Sequence, residues 1–499
     1  MKRSEIKSYR STVILILTLL LVSCAHMNER LADCCAQRDV YSLDHVSRPA
    51  GADDTFVVLT FSGGGTRAAA LAYGVLEKLR AIKLPNTDKT VLDEVDIVST
   101  VSGGSFTGAY YALFGEKTFV DFKERFLHRK IEQELALKVA NPINGLRLLS
   151  PYFGRSDLAA ELYDKTIFEG QTYSNLVRKG HRPFLIVNAT NLLTGSRFEF
   201  TSRQFRYLGS DLLSYPVARA VAASSAFPFL LTPITLANYP LGAAAGGTGV
   251  EACQCTPKIT RQDESALEGF EINKRRYYAA YYNTLYQNSD DHPYVHLMDG
   301  GLADNVGLRV IDDLFARDEI RRKINEDAIQ RLAVIVVNAK TSKKEDFDRT
   351  RTPPGLTTIG MKTATISMDN YTFETIEKFR DSIAQRIETQ WEEREEDENG
   401  DGNTPDSAQN DSLAGGKMKL YVIDLGFENL GDPSEREFFL NLPTSFSLKD
   451  EEVRRLIEVG GRLLIEHPEF THFICGFYDD ANERDACIAR GVKPSSPGP

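Results

Sequence analysis

Ser102 is the residue of this 499-residue chain whose surroundings most resemble those of a nucleophile. It lies in Val98-Ser99-Thr100-Val101-Ser102-Gly103-Gly104-Ser105. Upstream, Val95, Ile97, Val98 and Val101 predict a short buried strand; downstream, Phe106 to Phe114 has no breaker and predicts a buried helix. A serine at a strand-to-helix corner with small neighbours has its Oγ lifted to the head of a sheet, facing a helix N-terminus that favours negative charge. The usual pattern is G-x-S-x-G, and here only Gly104 at plus two fits, with Thr100 at minus two. By itself such a half-match is more often an ordinary Gly/Ser turn.

Two more stretches carry chemistry. In Ser62-Gly63-Gly64-Gly65-Thr66-Arg67, three glycines follow an apolar run, Phe56 to Phe61, and precede a helical repeat of Ala70, Tyr73, Leu76 and Leu79. Such a loop exposes successive backbone N–H groups. It can hold a phosphate, although Gly63-x-Gly65-x-x-Ala68 is a loose dinucleotide fingerprint and no Gly-Lys-Ser/Thr follows. It can also form an oxyanion hole, which requires a nucleophile nearby. The third stretch, Met298-Asp299-Gly300-Gly301-Leu302-Ala303-Asp304-Asn305, follows a predicted strand, Tyr294 to Met298. A carboxylate at such a strand end can take a proton from serine and return it to a leaving group, and an isolated Asp-Gly-Gly is also simply a turn.

In this order, the three stretches resemble the patatin-like phospholipases. Val101 to Ser105 is similar to the corner of the cytosolic phospholipase A branch, and Arg219-Ala220-Val221-Ala222-Ala223-Ser224-Ser225-Ala226-Phe227-Pro228 is similar to a further block of the family. The resemblance covers about residues 55–310 and implies an α/β fold, a patatin-like sandwich with a mostly parallel central sheet. It implies a Ser–Asp dyad without histidine, Ser102 as nucleophile and Asp299 as base. It implies an oxyanion hole at Gly63, Gly64 and Gly65, with Arg67 adding positive charge beside the substrate. The implied reaction is hydrolysis of phospholipid or other lipid esters through an acyl-enzyme, with no cofactor or metal. An acyltransferase or thioesterase shares that intermediate, and a non-catalytic envelope lipoprotein could keep the fold for binding. Among the eight histidines only His292 and His296 lie near a motif, and His296, three residues before Asp299 on a strand, points to the opposite face.

The elements that must position these residues read as strand, glycine loop, helix, strand, serine corner, helix, the opening of a doubly wound sheet. Further strands are expected at Phe184–Asn188, Ser196–Thr201, Leu332–Val337 and Leu420–Leu425, with a hairpin at Thr194-Gly195 making part of the sheet antiparallel. Tyr278, Tyr281, Tyr282 and Leu285 recur at helical spacing in an insertion, about 238–292, and read as a core stripe or as a lid facing lipid. Ile376, Phe379, Ile383 and Ile387 mark an amphipathic helix, followed by an acidic linker, about 392–416. Asp397 opens half of a calcium-loop pattern, but position twelve is Ala408 and the ligand set is incomplete. Residues 311–499 read as a continuation of the α/β unit.

Hydrophobic residues make up 42% of the chain and charged residues 26%, ordinary for a folded domain, while a net charge of -11 without a basic stripe argues against nucleic acid. Lys2, Arg3, Lys7 and Arg10 precede a short apolar run, Val13 to Val22, and Leu21-Val22-Ser23-Cys24 resembles the lipobox of bacterial lipoproteins. That implies a signal peptide over 1–24, acylation of Cys24, a polar tether over 25–54 and attachment to the cell envelope. Ala25, in place of Asp, favours the outer membrane. Six cysteines remain without zinc spacing, and Cys475 with Cys487 is the plainest disulfide candidate.

Overall fold

The computed structural model describes residues 27–31, 40–46, 54–85, 87–178, 180, 182–240, 259–317, 319–326, 329–342, 349, 351–399, 418–478 and 480–492. Signal peptide, Cys24, Cys34, Cys35, Cys253 and Cys255 lie outside the described residues. The strands are β1 (Thr55–Phe61), β2 (Val95–Val101), β3 (Phe184–Asn191), β4 (Arg197–Glu199), β5 (Ile234–Ala237), β6 (Tyr294–Asp299), β7 (Arg331–Asn338) and β8 (Lys419–Gly426). The helices used below are α1 (Gly65–Ala81), α2 (Gly103–Phe114), α3 (Arg155–Tyr163), α4 (Val217–Ser224), α5 (Arg261–Glu268), α6 (Lys274–Thr284), α7 (Gly301–Asp304), α8 (Arg309–Ala316), α9 (Leu356–Asn399) and α10 (Asp450–Glu466).

The fold is α/β, with one sheet in the order β5-β6-β3-β2-β1-β7-β8 and β4 also paired with β3. Strands β3, β2, β1, β7 and β8 run parallel; β4, β5 and β6 are antiparallel to their neighbours. Strands β1, β2 and β3 are buried along their whole length, as expected of a parallel sheet covered on both faces. Because β7 and β8 extend this sheet beyond β1, the C-terminal part of the chain completes the sheet.

Helix α1 is buried all round over its first three turns, because α10 covers the face that a surface helix would leave wet. Their contact is made by glycines. A methyl group on Gly74 would lie 2.1 Å from the Ile457 carbonyl oxygen, and one on Gly460 would lie 2.5 Å from that of Leu71.

Three expectations need correction. The stretch over 25–54 is not a free tether where it is described. The Asn28 side chain bonds Ser210 Oγ and both backbone groups of Ala237, and buried Tyr41 bonds the backbone of Leu185 on β3. The tyrosine stripe of the insertion is not core: Tyr278 and Tyr281 are exposed and stack with Tyr277 and Tyr282, while Ala280 and Tyr286 are the buried positions. The amphipathic helix buries Ile376, Phe379 and Ile383, but α9 then runs through the acidic stretch to Asn399. Glu, Arg and Gln are good helix formers and no breaker occurs before Gly400. The run Val91–Glu94 is a 3₁₀ turn ahead of β2. The cysteine expectation holds: Cys475 and Cys487 are joined, with Cα atoms 5.6 Å apart.

The glycine crossing gives a stability test. Gly74→Ala should destabilise the protein by about 1–3 kcal/mol, since two helix backbones must separate to admit one methyl. Chemical denaturation of the variant measures it, and an unchanged midpoint would contradict the close crossing.

Candidate active site

Ser102 stands between β2 and α2 with φ 48° and ψ -118°, a backbone region that costs a non-glycine residue about 1–3 kcal/mol. Several contacts hold it there. Ser102 N–H donates to Ser224 Oγ at 2.8 Å, and Ser224 Oγ donates to the Asn188 carbonyl oxygen at 2.6 Å. Ser105 Oγ lies 3.0 Å from the same hydroxyl. The corner also needs small residues. A methyl on Gly103 would lie 2.1 Å from the Gly65 carbonyl oxygen, and one on Gly104 would lie 2.6 Å from that of Ser62.

The departure at Thr100 is absorbed by Gly108, one turn into α2. A methyl there would stand 2.3 Å from Thr100 Cγ2, so the missing side chain has moved across the strand–helix contact. Thr100 Oγ1 is satisfied by the Ile186 carbonyl oxygen at 3.3 Å.

Asp299 ends β6, and its Oδ2 accepts a 2.8 Å hydrogen bond from Ser102 Oγ. Its Oδ1 accepts from Gly301 N–H, also at 2.8 Å. Full burial pushes the carboxyl up to about 6, with the Gly301 and Ser102 hydrogen bonds opposing the rise. The turn that follows is clamped. Thr190 Oγ1 donates to the Asp299 carbonyl oxygen, Asp299 N–H donates to the Ala226 carbonyl oxygen, and Gly300 N–H donates to that of Ser224. A methyl on Gly300 would lie 2.3 Å from the Asn188 carbonyl oxygen. Ser224 to Ala226 thus joins serine corner and aspartate turn, a role that the sequence reading left unassigned to the block Arg219–Pro228. The block is anchored by a buried Arg219–Asp157 ion pair at 2.8 Å, from α4 to α3.

The glycine loop lies against this corner, but its three amides are not equivalent. Gly63 N–H donates to the Asn305 carbonyl oxygen at 2.9 Å, which removes it from the expected oxyanion hole. Gly64 and Gly65 N–H have no acceptor among the described residues, and Gly64 adopts φ 140° and Gly65 φ 61°. Arg67 stands beside the loop, where a methyl on Gly64 would lie 2.9 Å from its Nη2. Its Nε and Nη1 donate to the Ala339 and Leu442 carbonyl oxygens at 2.9 Å, and Nη2 to Thr444 Oγ1 at 3.1 Å. Those bonds tie the loop to segments after β7 and before α10, so the guanidinium is held as a strap. Thr66 N–H to the Ser445 carbonyl oxygen and Ala339 N–H to Ser62 Oγ complete that wall.

His296 is exposed and its Nδ1 meets Thr235 Oγ1, while His45, His128 and His467 engage Ser42, Asp450 and the Glu469 backbone. His26 and His181 lie outside the described residues.

A family model described as patatin-like phospholipase matches residues 59–312. Among solved structures, the chain is similar to human GIVD cytosolic phospholipase A2, at 12% identity and TM-score 0.42, over 98% of this chain and 65% of that one. The same human protein in complex with methyl gamma-linolenyl fluorophosphonate is similar at 12% identity and TM-score 0.39, over 95% and 64%. VipD from Legionella pneumophila is similar at 12% identity and TM-score 0.25, over 87% and 71%. The chain spans about two thirds of the length of the human structures. No match is found among curated proteins.

The Thr100–Gly108 exchange is testable by a double-mutant cycle. Gly108→Ala should lower stability by about 1–3 kcal/mol, and Thr100→Ser, which removes the clashing methyl, should recover at least about 1 kcal/mol of it. Strict additivity of the two changes would contradict the compensation.

Proposed function

The chain belongs to the patatin-like phospholipase family, with a match over slightly more than half of its length, and from that premise we propose that it is a serine lipid acyl hydrolase, a phospholipase A or related esterase. The observation that carries the reading is the 2.8 Å hydrogen bond from Ser102 Oγ to Asp299 Oδ2, made at a serine corner beside two loop amides that have no acceptor among the described residues. A serine hydroxyl is a weak nucleophile until a base shares its proton. Here the base is the carboxylate itself. As Ser102 Oγ attacks the ester carbon, its proton passes to Asp299 Oδ2, and the carbonyl electron pair moves to oxygen. Gly64 and Gly65 N–H donate to that oxygen, with the N-terminus of α2 behind the corner. Collapse of the intermediate sends the proton to the departing alkoxide and leaves an acyl-enzyme. Water then repeats the sequence in reverse, and Asp299 returns to its ionised form.

Apolar groups at the approach to the site support a lipid substrate. Phe229 is 55% exposed and its ring packs where a methyl on Gly360 would stand, so the start of α9 meets the segment that leads from Ala226. Met368 Cε of α9 lies against Gly301, 2.2 Å from where a methyl would sit. Leu356, Ile359, Ile366 and Phe373 are exposed along the same helix. With acylation of Cys24, the body would ride close to the envelope membrane. Asn28 is docked on β5, and four residues of chain reach at most about 14 Å.

The pH dependence follows from Asp299. The base works ionised, its carboxyl is pushed up to about 6, and its ionised fraction rises with pH through that value. kcat/KM toward a soluble ester should therefore climb with a midpoint near pH 6 and level off above it, instead of near the ordinary carboxylate value. Asp299→Asn should lower turnover by about 10²–10⁴-fold above that midpoint, the ratio shrinking at lower pH as the wild-type carboxyl takes up its proton. A histidine variant that is inactive while Asp299→Asn works would contradict the dyad.

A further inference from the structure

Asn305 follows α7, six residues after Asp299, and its side chain lies inside the site just described. A methyl group on Gly63 would stand 2.6 Å from Asn305 Oδ1 and 3.3 Å from Ser102 Cβ. A methyl on Gly301 would stand 2.8 Å from the same Oδ1 and 3.1 Å from Asp299 Oδ1. The carboxamide therefore occupies the space that two glycines leave open, between the serine and the aspartate. Asn305 is only 8% exposed, and Oδ1 is buried without a hydrogen-bond partner. Nδ2 has no acceptor among the described residues either. Leaving a buried polar group unpaired is costly, and native structures rarely keep one without use.

The backbone of the same residue makes the placement more pointed. The Asn305 carbonyl oxygen holds Gly63 N–H, the loop amide that would otherwise join Gly64 and Gly65 in facing an oxyanion. One donor is removed by the main chain while the side chain brings two N–H donors to the same place. A half-turn about χ2 exchanges the carboxamide oxygen and nitrogen with little change of shape.

We propose that Asn305 is a catalytic residue, its carboxamide N–H donating to the ester carbonyl oxygen as that oxygen becomes negative. The inference rests on the hydrolase reading above and adds a third donor to the hole formed by Gly64 and Gly65. Carbonyl addition places the charge on the oxygen while the serine proton is on Asp299, so the donor acts most strongly in the transition state and little in the ground state.

The test compares wild type with Asn305→Asp and Asn305→Ala on a soluble p-nitrophenyl ester, recording kcat, KM and thermal midpoint, with Ser102→Ala as the blank. Asn305→Asp keeps the shape of the side chain but presents acceptors, and both variants keep the carbonyl that holds Gly63. The expected result is a fall in kcat of about 10²–10³-fold with KM changed by less than about threefold, and a thermal midpoint close to wild type. Two results overturn the proposal. One is kcat within about threefold of wild type in either variant. The other is a loss of kcat that tracks a lowered midpoint in both variants, the signature of a packing role. A wild-type protein with no activity above the Ser102→Ala blank would instead sink the hydrolase reading itself, which keeps the two failures apart.

Discussion

Three backbone turns meet at one end of the strands with no room for a β-carbon between them, and the geometry of the site depends on that constraint. The glycine loop, the serine corner and the aspartate turn approach so closely that a methyl on Gly103, Gly104 or Gly300 would lie 2.1, 2.6 or 2.3 Å from a carbonyl oxygen of a neighbouring segment. Main chain then bonds directly to main chain: Gly104 N–H to the Ser62 carbonyl oxygen, Gly63 N–H to that of Asn305, Gly300 N–H to that of Ser224. Backbone groups fixed in this way need little reorganisation when charge develops beside them, which is the condition for electrostatic stabilisation of a transition state. Side chains set the rest. Ser224 Oγ ties the Ser102 amide to β3, and Thr190 Oγ1 ties the Asp299 carbonyl to the N-terminus of α7.

The constraint extends past the segment that carries the family match. Arg67, one turn into α1, reaches the Ala339 and Leu442 carbonyls, and Ser445 holds Thr66. The outer wall of the glycine loop is therefore built from residues after 312. Helix α10 packs on α1 through Gly74 and Gly460, and the loop sits at the N-terminus of α1. In the proposed reaction, burial suits Asp299 to act as the base. A carboxyl in water would be too acidic to draw a proton from serine effectively, and removing it from water raises its affinity for that proton.

Much of this was legible in the chain. The β-branched residues at 95–101 and the unbroken apolar run at 332–337 announce strands, and both are buried strands of the parallel sheet. The order of glycine loop, serine corner and Asp-Gly-Gly was readable because each needs glycine for a backbone reason visible in sequence. What escaped depends on tertiary neighbours. Gly63 carries the same local signal as Gly64, and only its pairing with the Asn305 carbonyl sets it apart. Thr100 looked like a defect until Gly108 opposed it across the strand–helix contact. Arg67 was expected beside the glycine loop by analogy, but its hydrogen-bond partners, more than 270 residues along the chain, carry no local signal. The tyrosines of α6 have helical spacing but stand on a helix whose other side is the buried one, a choice that periodicity alone does not make.

The central claim is that Ser102 attacks the ester carbonyl and carries the acyl group. The most direct measurement is mass spectrometry of the protein after reaction with a long-chain alkyl fluorophosphonate, followed by proteolysis and mapping of the adduct. The account predicts one phosphonate per chain, on the peptide containing Ser102, and loss of esterase activity in step with its appearance. An adduct on a different residue, or full inactivation with Ser102 unmodified, would contradict it.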